Sequence, residues 1–76
     1  MSRHNGHKNW NHWDVSLWIN NDEGLYRTAL DHIRRSRTRE EAAKAMLENL
    51  RESGIRETPD GAPYSVSSIR AAMVGM

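Results

Sequence analysis

The chain has 76 residues and a mass of 8.8 kDa, room for one small domain and no second. Eleven Lys and Arg against ten Asp and Glu leave a net charge of +1, which excludes a polyanion mimic and a protein that coats nucleic acid by bulk charge. Cysteine is absent, excluding a disulfide scaffold and a thiolate zinc site and suiting a reducing cytoplasm; no apolar run approaches the roughly 20 residues of a membrane span.

Residues 1–9, MSRHNGHKN, are polar, contain Gly6 and show no apolar period. They read as a flexible, disordered tail, leaving residues 10–76 as a single helical domain. From Trp10 to Ile19 the pattern fits two periods. Trp13, Val15, Leu17 and Ile19 alternate with Asp14, Ser16 and Trp18, strand-like with one violation. As a helix over about 11–20, Asn11 caps the start, Asp14 falls in the first turn, and Trp13 and Leu17 stack at i, i+4. Such a helix is apolar nearly all round and is expected at the centre, with Trp13 and Trp18 in the core. Helix is preferred, because every later segment is helical and a lone strand has no partner.

Asn20-Asn21-Asp22 is a break and a capping cluster. Beyond it Leu25, Tyr26, Ala29, Leu30 and Ile33 form one amphipathic face, predicting a helix over 22–36 with Glu23 and Arg34-Arg35 placed as the helix dipole favours. Thr38-Arg39-Glu40-Glu41 is a capping box. It opens a helix over 39–53 with Ala42, Ala43, Met46, Leu47 and Leu50 on one side. Gly54 ends that helix, and Ile55 sits where a cap hydrophobe packs. Residues 56–63, RETPDGAP, read as a polar loop turning at Pro59-Asp60-Gly61. Ser65 or Ser67 then caps a last helix over 66–74, with Val66, Ile69 and Met73 inward.

Setting the terminal Met1 and Met76 aside, the chain has 19 large apolar residues for its core. Stability is therefore expected to be modest and to gain from a dimer or a partner. The tryptophans, all within residues 10–18, are either much of the core or part of a binding surface. Trp10, closest to the tail, is the better exposed anchor, since Trp and Arg dominate binding hot spots.

The charge is local. Residues 27–39 hold Arg27, Arg34, Arg35, Arg37 and Arg39 against Asp31, a net of +4, whereas residues 1–26 carry −1 and residues 40–76 carry −2. Arg34, Arg35, Arg37 and Arg39 thus form a guanidinium-rich corner between two helices, able to grip phosphates or an acidic protein face. The plainer reading is dipole complementation, solubility and Asp31–Arg35 pairing. The two helices also have the outline of a helix–turn–helix, but Glu40, Glu41, Glu48 and Glu52 would set carboxylates against phosphates on the reading helix. His4, His7 and His12 lack a Cys or a nearby Glu to complete a metal set, so no metal or cofactor is expected, and His32 reads as a surface or boundary residue. The serines, among them Ser16, Ser36 and Ser67, lack a plausible His–Asp partner set, and there is no phosphate-binding glycine loop. The chain reads as a non-enzyme.

The run Asn9-Trp10-Asn11-His12-Trp13-Asp14-Val15-Ser16-Leu17-Trp18-Ile19-Asn20-Asn21-Asp22-Glu23-Gly24-Leu25-Tyr26 resembles a segment of small bacteriophage and plasmid proteins with the pattern N-Y-E-T-W-N-V-x-L-W-I-x-N-D-E-G-x-Y. Trp10 stands where that pattern has Tyr and His12 where it has Thr. The last helix, Val66-Ser67-Ser68-Ile69-Arg70-Ala71-Ala72, lacks the Trp and Glu of the corresponding V-D-W-x-E-I-A. The resemblance implies a short mobile-element accessory protein in the cytoplasm of an infected bacterial host. Phage proteins of this size include anti-CRISPR inhibitors, which work sterically. The functional expectation is thus an anti-CRISPR protein that binds a type I CRISPR surveillance complex, blocks target DNA and contacts it through Arg34, Arg35, Arg37, Arg39 and Trp10. The alternative is a small nucleic-acid-binding or transcription-accessory module using the same Arg corner. The expected architecture is all-α, with three to four short helices, as a monomer or weak dimer without cofactor.

Overall fold

The computed structural model describes residues 9–76. It consists of α1 (Trp10–Asn21), α2 (Glu23–Arg35), α3 (Arg39–Glu52) and α4 (Val66–Ala72), so the all-α expectation holds. Residues 1–8 of the segment read as a tail lie outside the described residues. Asn9, its last member, is the N-cap of α1, its side chain accepting from the His12 N–H at 2.9 Å. The cap is therefore Asn9 rather than Asn11, and α1 starts at Trp10, one residue earlier than the sequence suggested. This shift places Asp14 past the first turn, and packing against the 56–64 segment buries it, at 1% exposed.

Local chemistry sets the other boundaries. Asp22 closes α1, its backbone N–H donating to the Trp18 carbonyl, and opens α2 by accepting from the Leu25 N–H at 3.0 Å. Thr38 accepts from the Glu41 N–H at 3.1 Å. The reciprocal reach of Glu41 lands one residue further out than a capping box requires, on the Arg37 N–H at 3.0 Å. At the end of α3, Gly54 has φ 79, its N–H donates to Arg51 and that of Ile55 donates to Leu50; only a residue free of a Cβ enters this left-handed stop without strain. Ser65, rather than Ser67, caps α4, in a box with Ser68.

The helices form a ring in which each packs on two neighbours: α1 on α2 and α4, and α3 on α2 and α4. Ile19, Met46, Ile69, Met73 and Val15 are the large, fully buried apolar side chains, and Ala29, Ala42, Ala43, Ala62 and Ala72 let the backbones come close around them. No tryptophan belongs to this core. Trp13 and Trp18 are only half-buried and Leu17 is 39% exposed, so α1 is not a central helix. Its buried stripe is Val15 and Ile19 with Asp14; Trp10 and Leu17 are exposed, and Trp13 and Trp18 are half-buried beside the stripe.

The segment read as a polar loop is folded. A short antiparallel bridge joins Glu57 and Pro63, with the Thr58 N–H donating to Ala62 and the Tyr64 N–H to Arg56. Gly61 at φ 93 closes the turn. Thr58, Ala62 and Tyr64 are buried, so this hairpin roofs one side of the core. Ile55, expected to pack over the end of α3, stays 40% exposed beside Leu47, Arg51, Arg56 and Tyr64.

Candidate functional site

The outward side of α1 carries Trp10, Trp13 and Leu17 at i, i+3 and i+7, one stripe of a helix. Trp10 is 41% and Leu17 39% exposed, with Trp13 half-buried between them. No Lys or Arg occurs between Trp10 and Asn21, and the adjoining shallow depression is lined by Leu17, Trp18, Asn21 and Asp22. This ridge is apolar with an acidic edge. The sequence marked Trp10 as an anchor but missed Leu17, because the inward stripe could be chosen only once α4 was seen to pack against Val15 and Ile19.

The four arginines of the expected corner have separate surroundings. Arg34 and Arg35 occupy the last turn of α2 and are exposed; Arg35 pairs with Asp31. Arg37 lies in the connector, exposed. Arg39 turns the other way: its Nε donates to the Met73 carbonyl at 3.0 Å and its guanidinium to the Met76 carbonyl at 2.6 Å. It ties the start of α3 to the turn beyond α4, and the Arg70–Glu40 pair at 3.6 Å lies across the same interface. Among the described residues, Arg34 and Arg37 enter no ion pair.

A polar cluster, buried at Asp14 and Thr58 and exposed at Asp60, joins α1 to the hairpin. The Thr58 hydroxyl donates to Asp14 Oδ2 at 2.6 Å and accepts from the Ala62 N–H at 3.1 Å. The Trp18 indole N–H donates to Asp60 at 2.9 Å. Burial raises the Asp14 pKa against the opposing Thr58 hydrogen bond, and the neighbouring Asp60 raises it further. Asp60, held by Trp18 and by Asp14, is lowered. Burial also raises the Tyr64 pKa, with Asp22 and Asp14 adding to it.

His32, read as a boundary residue, is 9% exposed and accepts from Asn49 Nδ2 at 3.3 Å. Burial, then the Arg35 charge, lower its pKa. His4 and His7 lie outside the described residues. His12 meets the Ser67 hydroxyl at 2.8 Å, a serine–histidine contact that the sequence did not reveal because the two residues are 55 positions apart. That contact fastens the starts of α1 and α4 at the exposed surface. Among the described residues there is no group of three or more His, Asp or Glu able to hold a metal, and no helix is long and apolar enough to cross a membrane.

Ring packing, an exposed apolar ridge and an arginine-bearing junction define a small four-helix domain. The chain belongs to the family described as "Family of unknown function (DUF7249)", whose profile matches residues 1–76. No curated protein matches it, and no solved structure does.

Proposed function

We propose that the chain is a non-catalytic docking domain that binds a protein partner through the α1 ridge, with Trp10, Trp13 and Leu17 as apolar anchors and Arg34 and Arg37 as charge contacts. The observation that carries the reading is the ridge itself: exposed tryptophan and leucine on a helix without a cation. A phosphate backbone finds no charge partner there, whereas Trp is the residue type most enriched among protein-binding hot spots.

In its specific form the partner is a type I CRISPR surveillance complex, and the chain is a phage anti-CRISPR protein acting in the host cytoplasm by blocking target DNA. The resemblance of Asn9–Tyr26 to phage and plasmid proteins supports this form.

A gel shift tests both levels, with duplex DNA plus the chain, surveillance complex plus target DNA, and all three together. The expected result is loss of the complex–DNA band without any shift by the chain alone. Trp10→Ala with Leu17→Ala, both at exposed sites, should weaken that block about tenfold or more while the circular dichroism spectrum stays helical. A shift by the chain alone overturns the docking reading in favour of a nucleic-acid module built on Arg34, Arg35, Arg37 and Arg39. An unchanged complex–DNA band overturns the CRISPR form; a pull-down with the double variant as control then tests the ridge by itself.

A further inference from the structure

The solvent side of α2 carries a second surface, distinct from the α1 ridge. Glu23, Arg27, Leu30 and Arg34 fall within about 60° of one another on a helical wheel, and Tyr26 borders them. Tyr26 is 36% exposed and Leu30 half-buried. With Glu23, Arg27, Asp31 and Arg34 they line an open depression of about 660 Å³. An amphipathic helix normally turns such apolar side chains to its core face, which here is already formed by Leu25, Ala29 and Ile33. Among the described residues, Tyr26 is therefore exposed apolar surface, and the half-buried Leu30 continues it.

The charges on this surface are ordered. Glu23 stands at the first turn of α2, Arg34 in its last, and Arg27 and Asp31 lie between. Two copies of α2 laid antiparallel about a two-fold axis midway between Thr28 and Ala29 bring Glu23 opposite Arg34 of the second copy. By symmetry the same pair recurs at the other end. Arg27 then lies level with Leu30 of the second copy and Tyr26 level with its Asp31, so the two Tyr26 rings flank the axis. A two-fold interface requires a patch to be complementary to itself, and this acid-first, base-last order meets that requirement. The opposed helix dipoles add to it.

We propose that the outward face of α2 is a self-docking surface for a second copy of this chain, paired antiparallel with Glu23 against Arg34. The face offers six residues, where a stable interface uses roughly 20–30 per side, so the dimer is weak. Its dissociation constant falls in the range of roughly 0.1–1 mM, consistent with one short helix pair. The face does not include Trp10, Trp13 or Leu17, so both copies keep those anchors; Arg34 is taken up by the second copy, which leaves Arg37 as the charge contact for a partner. The consequence is a bivalent particle at high local concentration, which strengthens attachment to a partner with repeated sites.

Sedimentation velocity on the purified chain, from roughly 20 μM to 2 mM, tests the proposal across the expected affinity range. The wild type should move from monomer to dimer over that span, and added salt should oppose the shift. Glu23→Arg alone and Arg34→Glu alone should each weaken the dimer about tenfold, and the combined exchange E23R/R34E should recover most of the loss. Because Glu23 opens α2, its reversal also costs some helix stability. Tyr26→Ser, at an exposed position, is the independent variant, and it should abolish association while the helical spectrum is kept. A wild type that stays monomeric throughout overturns the proposal. So does a dimer indifferent to Tyr26→Ser, or a double exchange no better than Arg34→Glu alone.

Discussion

In the α2–α3 hairpin, the apolar stripes and the caps all lie close in sequence: Asp22 on Leu25, Thr38 on Glu41, and the Gly54 stop on the last turn of α3. Across α1, the 56–64 hairpin and α4, the polar contacts join residues far apart: Asp14 with Thr58 at a separation of 44, Trp18 with Asp60 at 42, and His12 with Ser67 at 55. The first region is built from local preference reinforced by burial. The second is joined by long-range polar contacts and holds one buried carboxyl, so it should respond to the ionisation of Asp14 and to single polar deletions, whereas the pH response of the α2–α3 hairpin rests on His32.

The sharpest way to test that contrast is to cut the same kind of apolar contact in both halves. Ile19→Ala in α1 and Met46→Ala in α3 both empty fully buried volume and should each cost about 2–5 kcal/mol in urea unfolding. Coincident loss of α1 and α2–α3 signals in both variants would show one cooperative unit. Loss of α1 signals ahead of α2–α3 signals would instead show that the two regions unfold separately.

Next in size is Thr58→Val, which removes the donor to Asp14 while keeping the shape. A buried carboxyl left without its partner should cost about 1–3 kcal/mol. The companion Asp14→Asn breaks the pH dependence instead. The folded pKa of Asp14 lies above its unfolded value, so its contribution is complete below that unfolded value and is lost as pH rises through the folded one. Asp60 has the opposite sign, lost as pH falls through its depressed value. Asp14→Asn should therefore raise the Tm relative to wild type near neutral pH and lose that advantage in acid. A constant offset at every pH would remove Asp14 from the account.

His32 supplies a pH response within the hairpin. Its folded pKa lies below the ordinary 6.5, so its contribution is complete above 6.5 and is lost as pH falls through the folded value. His32→Gln should flatten the part of the stability profile just below that pH, and an unchanged profile there would exclude His32 as its source. Thr38→Ala should cost about 1 kcal/mol through the lost cap. Smallest of all, Arg27→Ala removes an ion pair whose side chains are 75% and 76% exposed and should change unfolding stability by no more than about 0.5 kcal/mol.

Much of the fold was legible. The amphipathic run from Leu25 to Ile33, the Thr38 cap, Gly54 and the serine before Val66 marked three helices to within two residues. The α1 stripe was harder, because Trp10, Trp13, Val15, Leu17, Trp18 and Ile19 offer an apolar residue on every side. Periodicity cannot choose a face when all faces qualify. The candidate surfaces were legible in part: Trp10 was read as an exposed anchor and is exposed, while Leu17, Tyr26 and Leu30 were assigned inward. Arg39 could be placed near a helix start but not tied to Met73 and Met76, which are 34 and 37 residues away.

By itself the sequence determined what depends on neighbours along the chain. Those are the all-α class, the stops and caps, the +4 concentration of charge over residues 27–39 and the lack of a thiolate site, since helix periods and cap chemistry act within a few residues. Only the tertiary structure decided which side of α1 is buried, that Asp14 is the carboxyl taken inside, that the 56–64 segment is a hairpin roof, and that Arg39 is tied to the Met73 and Met76 carbonyls while Arg34 enters no ion pair among the described residues. Each of those outcomes is set by contacts between distant residues, where burial of Ile19 and Met73 together outweighs the local preference of any tryptophan.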